Sequence, residues 1–216
     1  MIEVEFKPIS QVVGVMPPTA SVEQIEKEVM LRSASPEFAR EHGGVLTNRV
    51  LDVIESRYRF EYHKHYVIDT KSVMLMPGMY PAIPGWHCDG VIRNHQFAQP
   101  DLTKLNPSFK YCTVLVSSHH EGVSNTEFMQ DTLVIPCDEE RVWSSVNEYI
   151  ESLQNKNTFS IQDGDILEFS QATLHRTQPA FNQGWRFFFR LSEYHMPPVN
   201  KIRHQVQVYA SPASGW

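Results

Sequence analysis

The chain has 216 residues, of which 41% are hydrophobic and 20% charged, and it carries a net charge of −6. That length suffices for one domain with a substantial core, and the apolar content is that of a globular rather than a disordered chain. The acidic balance, with a pI near 5.9, argues against a broad basic surface for duplex nucleic acid, though not against a groove for a single nucleotide or a small molecule.

In chain order, residues 2–7 alternate as a short strand, and Pro17-Pro18 is a break. Ser21, with Gln24 three residues on, forms a capping-box pattern that opens a helix. Val50, Leu51, Val53, Ile54 and Tyr58 fall at helical spacing within 47–60. Strand texture begins near residue 65, at Tyr66-Val67-Ile68 and Val73-Met74-Leu75-Met76, and Pro77-Gly78, Pro81 and Pro84-Gly85 then punctuate a loop. A strand carrying His87 is expected next, then a long loop over 92–109, a strong strand over 110–117, and a polar loop over 118–130. Leu133-Val134-Ile135 reads as a short strand, 138–154 as a helix, and Asp163-Gly164-Asp165 as a tight turn into Ile166-Leu167-Glu168-Phe169. A strand over 185–194 follows the His175 segment, and a last strand is expected around 203–209. Many short strands with Gly/Pro turns indicate a β-sandwich or barrel, with helices supplied mainly by the N-terminal third.

Cys88, Cys112 and Cys137 are odd in number and form no CxxC. A disulfide framework or zinc knot is not expected, and a reducing compartment is. Met1-Ile2-Glu3-Val4-Glu5 lacks a basic-then-apolar leader pattern, and no apolar run approaches the length of a membrane span. The expectation is a soluble, cytoplasmic protein with no membrane partner.

The chemistry-bearing run is Pro84-Gly85-Trp86-His87-Cys88-Asp89-Gly90. On a strand, residues two apart face the same side, so His87 and Asp89 point together while Cys88 points away. Gly90 leaves room beside the carboxylate. An imidazole, a carboxylate and a second, distant imidazole make a ligand set suited to ferrous iron with open coordination positions. A lone His-x-Asp in a chain of ten histidines is equally a surface histidine bonded to its neighbour. What raises it is the later run His175-Arg176-Thr177-Gln178-Pro179, followed by Trp185-Arg186-Phe187-Phe188-Phe189-Arg190-Leu191-Ser192. There Arg186, Phe188, Arg190 and Ser192 share one face, and Phe187, Phe189 and Leu191 the other. The first face is basic. The second is greasy and should pack outward under a helix or a second sheet. Two inward arginines are costly without anions to meet them.

These pieces resemble the iron(II)- and 2-oxoglutarate-dependent dioxygenases over roughly residues 65–195. His87-x-Asp89 resembles the first two ligands of that family. Gly164-Asp165-Ile166-Leu167-Glu168-Phe169 with Leu174-His175-Arg176 resembles the stretch leading into the distal ligand. Gly184-Trp185-Arg186 and Arg190-Leu191-Ser192 resemble the cosubstrate-binding strand. The Gly-Trp-Arg spacing is similar to that of the phytanoyl-CoA hydroxylase-like group. The Arg-x-Ser spacing is similar to that of Tet/JBP-type base oxidases and plant-type oxygenases. Residues outside 65–195 match no named pattern.

The resemblance implies a mainly β fold with some α: a double-stranded β-helix (jelly-roll) core over 65–195, an N-terminal mixed or helical support over 1–64, and a C-terminal strand and tail over 196–216, all in one domain. It implies Fe(II) on His87, Asp89 and His175, with 2-oxoglutarate as cosubstrate and O2 as oxidant. The reaction would yield succinate and CO2 and hydroxylate a C–H bond of a small-molecule or nucleotide-like substrate. The far carboxylate of 2-oxoglutarate needs a fixed planar cation. Arg186 is preferred because it follows His175 most closely; Arg190, with Ser192 beside it, is the alternative, and the arginine left over would meet substrate. Tyr80 is a candidate second donor to 2-oxoglutarate, as is Tyr66, with Tyr111 and Thr113 ranked below them.

Trp86 is either a pocket wall or core, and Asn94 and His95 either touch substrate or belong to a plain loop. His119-His120 and His63/His65 read as exposed loop histidines. The loops 91–109 and 118–130 are expected to select the substrate. Two other classes compete: a cupin-like metalloprotein without 2-oxoglutarate, and a non-enzymatic β-sandwich binding or structural module.

Overall fold

The computed structural model describes residues 1–9, 11–61, 63–95 and 98–210. Among the described residues the chain is mainly β. Its strands are β1 (Ile2–Phe6), β2 (Gln11–Val15), β3 (Leu31–Arg32), β4 (His65–Leu75), β5 (Lys110–Ser117), β6 (Thr126–Met129), β7 (Leu133–Cys137), β8 (Thr158–Ser160), β9 (Asp165–Ser170), β10 (His175–Thr177), β11 (Gly184–Tyr194) and β12 (Lys201–Ile202). Four helices accompany them: α1 (Val22–Glu26), α2 (Pro36–His42), α3 (Val45–Arg57) and α4 (Val142–Ser152).

β11 sits inside an antiparallel five-stranded sheet of order β2-β9-β5-β11-β4. Its alternation divides the molecule. Phe187, Phe189 and Leu191 pack with Val114 and Val116 of β5 under a helical layer built by Ile25, Ala39, Val50, Leu51 and Ile54. Each fully buried phenylalanine contributes roughly 1.5–3 kcal/mol by leaving water. The opposite face of the sheet carries Tyr111, Leu115, Leu167 and Phe169, which pack against Phe128 of β6. β6 is the middle strand of a smaller sheet, β10-β6-β8. The two sheets therefore face each other across an apolar layer. No strand pairing joins them among the described residues, so the sheets face each other without the closure that a jelly roll would give. A third apolar cluster joins β1, β7 and α4 to Trp86, Cys88 and Leu174.

Local signals explain the helix starts. Ser21 and Gln24 form the expected capping box on α1, and Ser35 caps α2 ahead of Pro36. α3 begins at Gly44 with no side-chain cap of its own. The buried Glu28 carboxylate serves instead, accepting from the backbone N–H groups of Leu46 and Thr47 and from Thr47 Oγ1. A buried anion at a helix N-terminus satisfies orphan donors and the helix dipole together. Glu28→Ala is expected to lower stability by about 2–3 kcal/mol, read as a shifted urea midpoint; an unchanged midpoint would remove Glu28 from this role.

Several elements differ from expectation. The two strands expected at 66–68 and 73–76 are one strand, β4, because β11 pairs along its whole length. The stretch 118–130, read as polar loop, contains β6; Phe128 and Met129 are buried there, too short an apolar run to show a period. The strand expected around 203–209 is absent. β12 lies just before it and pairs with β3, while Tyr209 makes a single bridge to Tyr80. Residues 211–216 of the tail lie outside the described residues. No helix among the described residues is long and apolar enough to cross a membrane.

Candidate metal centre

His87 stands on a loop rather than in a regular strand, fixed by a two-way bridge to the first residue of β10. The His87 N–H donates to the His175 carbonyl and the His175 N–H to the His87 carbonyl, each at 3.0 Å. Asn147 of α4 clamps the preceding residue, accepting from Trp86 N–H at 2.8 Å and donating to the Trp86 carbonyl at 3.1 Å. On the other side Tyr111 Oη donates to the Asp89 carbonyl, and Gln171 Nε2 to the Gly90 carbonyl at 2.9 Å. Gly90 has φ of +68°, and a Cβ there would overlap Tyr111 Oη. Glycine is thus required by backbone conformation and by space.

This scaffold brings one donor atom each from His87, Asp89 and His175 within 4.8 Å of one another. His175 Nε2 lies 3.1 Å from Asp89 Oδ2, and His87 Nε2 lies 3.9 Å from Asp89 Oδ1. Each imidazole has its Nδ1 against a carbonyl, that of Gly85 for His87 (2.8 Å) and that of Thr173 for His175 (3.1 Å). A carbonyl only accepts, so Nδ1 carries the proton and Nε2 is the ring nitrogen turned toward Asp89. A ring N–H held by a backbone carbonyl is the arrangement that orients metal-ligating histidines. Burial, reinforced by His175, pushes the His87 pKa down to about 4. Burial alone would raise Asp89, but Arg190 and the histidines outweigh it and hold the carboxyl well below its usual range. Two imidazole Nε2 atoms and an ionised carboxylate converging at these distances fit a divalent cation.

The two inward arginines are not equivalent. Arg190 is already engaged: its guanidinium donates to Asp89 Oδ2 and, at 3.0 Å, to Asp69 Oδ2. Burial would lower its pKa, yet these two carboxylates hold it above the ordinary value. Asp69 also accepts from the Ser33 N–H and sits 3.6 Å from Arg203. Arg186 is only 3% exposed. It donates to the Ser124 carbonyl and to Thr126 Oγ1; among the described residues no carboxylate is in ion-pair contact with it, and Asp163 acts on it only from beyond that distance. Burial accordingly pushes its pKa down to about 10.

Two connected cavities meet at the triad. The inner one, about 180 Å³, is lined by His87, Asp89 and His175 together with Arg186, Phe188, Arg190, Thr126 and Thr177. The outer one, about 380 Å³, shares His87, Asp89, Lys71, Ala82 and Arg203 with it and adds Ile83, Val91, Arg93, Pro100, Trp143 and Tyr209.

Of the residues singled out from sequence, the structure brings His87, Asp89, His175, Arg186 and Arg190 to one place. It does not bring Tyr80 or Ser192 there. Tyr80 is tied by backbone to Tyr209 and lines a separate groove with Pro84, Gly85 and Arg176. Ser192 lies beyond Arg190, buried opposite Tyr111 and Val67 with its hydroxyl unbonded. Tyr66 is likewise distant, its hydroxyl accepting from Glu61 N–H. Tyr111, ranked lower, is the tyrosine against the site, because its position on β5 places it opposite β11. Trp86 is fully buried core, with Arg176 stacked over its ring. His63, His65 and His120 are exposed.

Lys71, Asp69 and Arg203 were missed from sequence. β4 pairing puts Asp69 beside Arg190 and Lys71 beside Phe188. A basic or acidic residue at alternate positions of that strand was the only available signal.

No protein-family model matches the chain, and neither does any curated protein. Among solved structures it is similar to an N-substituted L-amino acid dioxygenase from Burkholderia ambifaria AMMD, at a TM-score of 0.42 and 12% identity over 82% of this chain and 74% of that one. It is also similar to the non-heme monooxygenase ThoJ in its nickel complex, at a TM-score of 0.42 and 9% identity over 97% of this chain and 83% of that one. Likeness at this level assigns neither fold nor activity, and the side chains carry the functional reading.

Proposed function

We propose that the chain is an Fe(II)- and 2-oxoglutarate-dependent oxygenase that hydroxylates a C–H bond of a small molecule, on a core of two facing sheets arranged as a double-stranded β-helix. One observation carries this reading. A buried guanidinium with no carboxylate in ion-pair contact, Arg186, faces the same cavity as a converging two-histidine, one-carboxylate set. A buried unpaired cation is costly, and its persistence in a cavity points to an anion that arrives from solution.

His87, Asp89 and His175 would hold the metal, which when bound supplies a Lewis-acidic, redox-active centre for O2 and for the keto-acid end of 2-oxoglutarate. Arg186 would receive the far carboxylate in a two-pronged contact, with Thr126 Oγ1 fixing the guanidinium plane. Arg190 would orient Asp89 by holding Oδ2 and anchoring itself on Asp69. Phe188 would line the chamber and limit water near the reacting centre, while Phe128 packs against the His175 ring. A cupin-like metal site without a keto acid leaves Arg186 without a purpose.

Anaerobic titration is the direct test. Iron(II) and 2-oxoglutarate together are expected to give a weak visible charge-transfer band that neither gives alone, and air should then release succinate. Protein shown to hold iron, yet giving neither band nor succinate, would overturn the reading.

A further inference from the structure

We infer that the outer cavity is a binding site for a small organic oxyanion with an apolar body, whose charged end is taken by Lys71 and Arg203. The inference rests on the proposed oxygenase reading only in calling that molecule the substrate; the binding site itself does not depend on it.

Lys71 projects from β4 to line both cavities, and its ammonium has no ion pair or hydrogen bond among the described residues. Arg203 is tethered through one terminal nitrogen to Asp69 Oδ1 at 3.6 Å, while its Nε is buried with no partner. Burial, with Arg203 and Arg190 close by, pushes the Lys71 pKa down to about 8 against the opposing pull of Asp89 and Asp69. Like charges crowded in a partly dry chamber repel, and an incoming anion relieves that repulsion. The nearby carboxylates do not meet this need. Asp69 is committed to Arg190, Arg203 and the Ser33 N–H, and Asp89 to Arg190 and the metal set.

The remaining wall is apolar. Trp143, Ile83, Val91 and Pro100 line the outer cavity along with Lys71, Arg203, His87 and Asp89. Arg93, exposed and bonded to the Ala98 carbonyl, stands at its rim. A molecule with its oxyanion on Lys71 and Arg203 would therefore lay its hydrocarbon part toward His87 and Asp89. The cation that serves 2-oxoglutarate, Arg186, belongs to the inner cavity alone. Arg186 in the inner cavity, and Lys71 with Arg203 on the wall that both cavities share, suit two anionic molecules bound at once.

The test is calorimetric titration of butyrate, octanoate, phenylacetate and phenyl phosphate into metal-free protein, then into protein loaded with manganese(II) and 2-oxoglutarate without oxygen. Methyl phenylacetate, of nearly the same shape without the charge, is the control. At least one anion is expected to bind tenfold or more tighter than the ester. Lys71→Met and Arg203→Met should each weaken it tenfold or more, and Arg186→Met should leave it unchanged. Preference between the carboxylates and phenyl phosphate identifies which oxyanion the site takes. The proposal is overturned if acid and ester bind alike, if no anion binds, if both variants leave binding intact, or if Arg186→Met is the change that removes it. Wild-type protein carries the acid–ester comparison, so a variant that fails to fold does not protect the idea. An anion that binds as expected to protein unable to bind 2-oxoglutarate sinks the oxygenase reading and leaves the oxyanion site standing.

Discussion

Asp89→Asn is expected to lower divalent-metal affinity by about a thousandfold and to abolish 2-oxoglutarate turnover. The substitution keeps shape and removes one negative charge. A unit charge pair near 4 Å contributes about 4 kcal/mol at the effective dielectric of a protein surface, and about 1.4 kcal/mol corresponds to each tenfold in affinity. His87 and His175 would remain, held by Gly85, Thr173 and their mutual backbone bridge. The loss should therefore appear in metal content rather than in a collapsed site. Metal-free protein supplies a second readout. Asp89 is one of two carboxylates on Arg190, so Asp89→Asn should also lower the urea midpoint, by about 1–3 kcal/mol of stability. If stability falls while metal affinity does not, Asp89 is only the counter-ion of Arg190, and the metal assignment fails.

The arginines are expected to separate by which property each controls. Arg186→Met should weaken 2-oxoglutarate binding by about thirtyfold or more, since truncating one partner of a buried charge pair costs about 2–5 kcal/mol. The same change should leave metal-free protein about as stable as wild type, because it removes a buried charge with no carboxylate in ion-pair contact, Asp163 acting on it only from a distance. Arg190→Met should do the reverse. It strands Asp89 and Asp69 and should lower stability by about 3–5 kcal/mol, with 2-oxoglutarate affinity falling chiefly through loss of metal. Isothermal binding of 2-oxoglutarate to manganese-loaded protein, beside urea unfolding of metal-free protein, reads both. A rise in the 2-oxoglutarate dissociation constant confined to Arg190→Met would reverse the assignment.

The near-degeneracy of Arg186 and Arg190 in the sequence has a plain cause. Both lie on one face of one strand, eleven and fifteen residues after His175, and a period of two cannot say which finds a counter-ion. The partner strand decides. β4 places Asp69 opposite Arg190 and Val73 opposite Arg186, so one guanidinium is neutralised and the other is not. Tyr80 and Tyr111 exchange ranks for a related reason. Tyr80 is near the His-x-Asp run in sequence, but its backbone is drawn away by Tyr209. Tyr111 is distant in sequence and adjacent through β5–β11 pairing.

Patterns with a short period were legible in the chain itself. The alternation of 185–194 announced a strand with one greasy and one basic face, and Phe187, Phe189 and Leu191 do lie under the helices. The Ser21–Gln24 box, the 110–117 strand and the Gly164 turn were equally visible, since each rests on contacts within a few residues. The pairing of His87-x-Asp89 with a distant histidine could be suspected from residue types alone. Tertiary structure alone decided which charges pair: Asp69 with Arg190 and Arg203, and, among the described residues, no carboxylate in ion-pair contact with Arg186 or Lys71. Electrostatic free energy depends on distance and burial, and strand pairing sets both between residues more than a hundred positions apart.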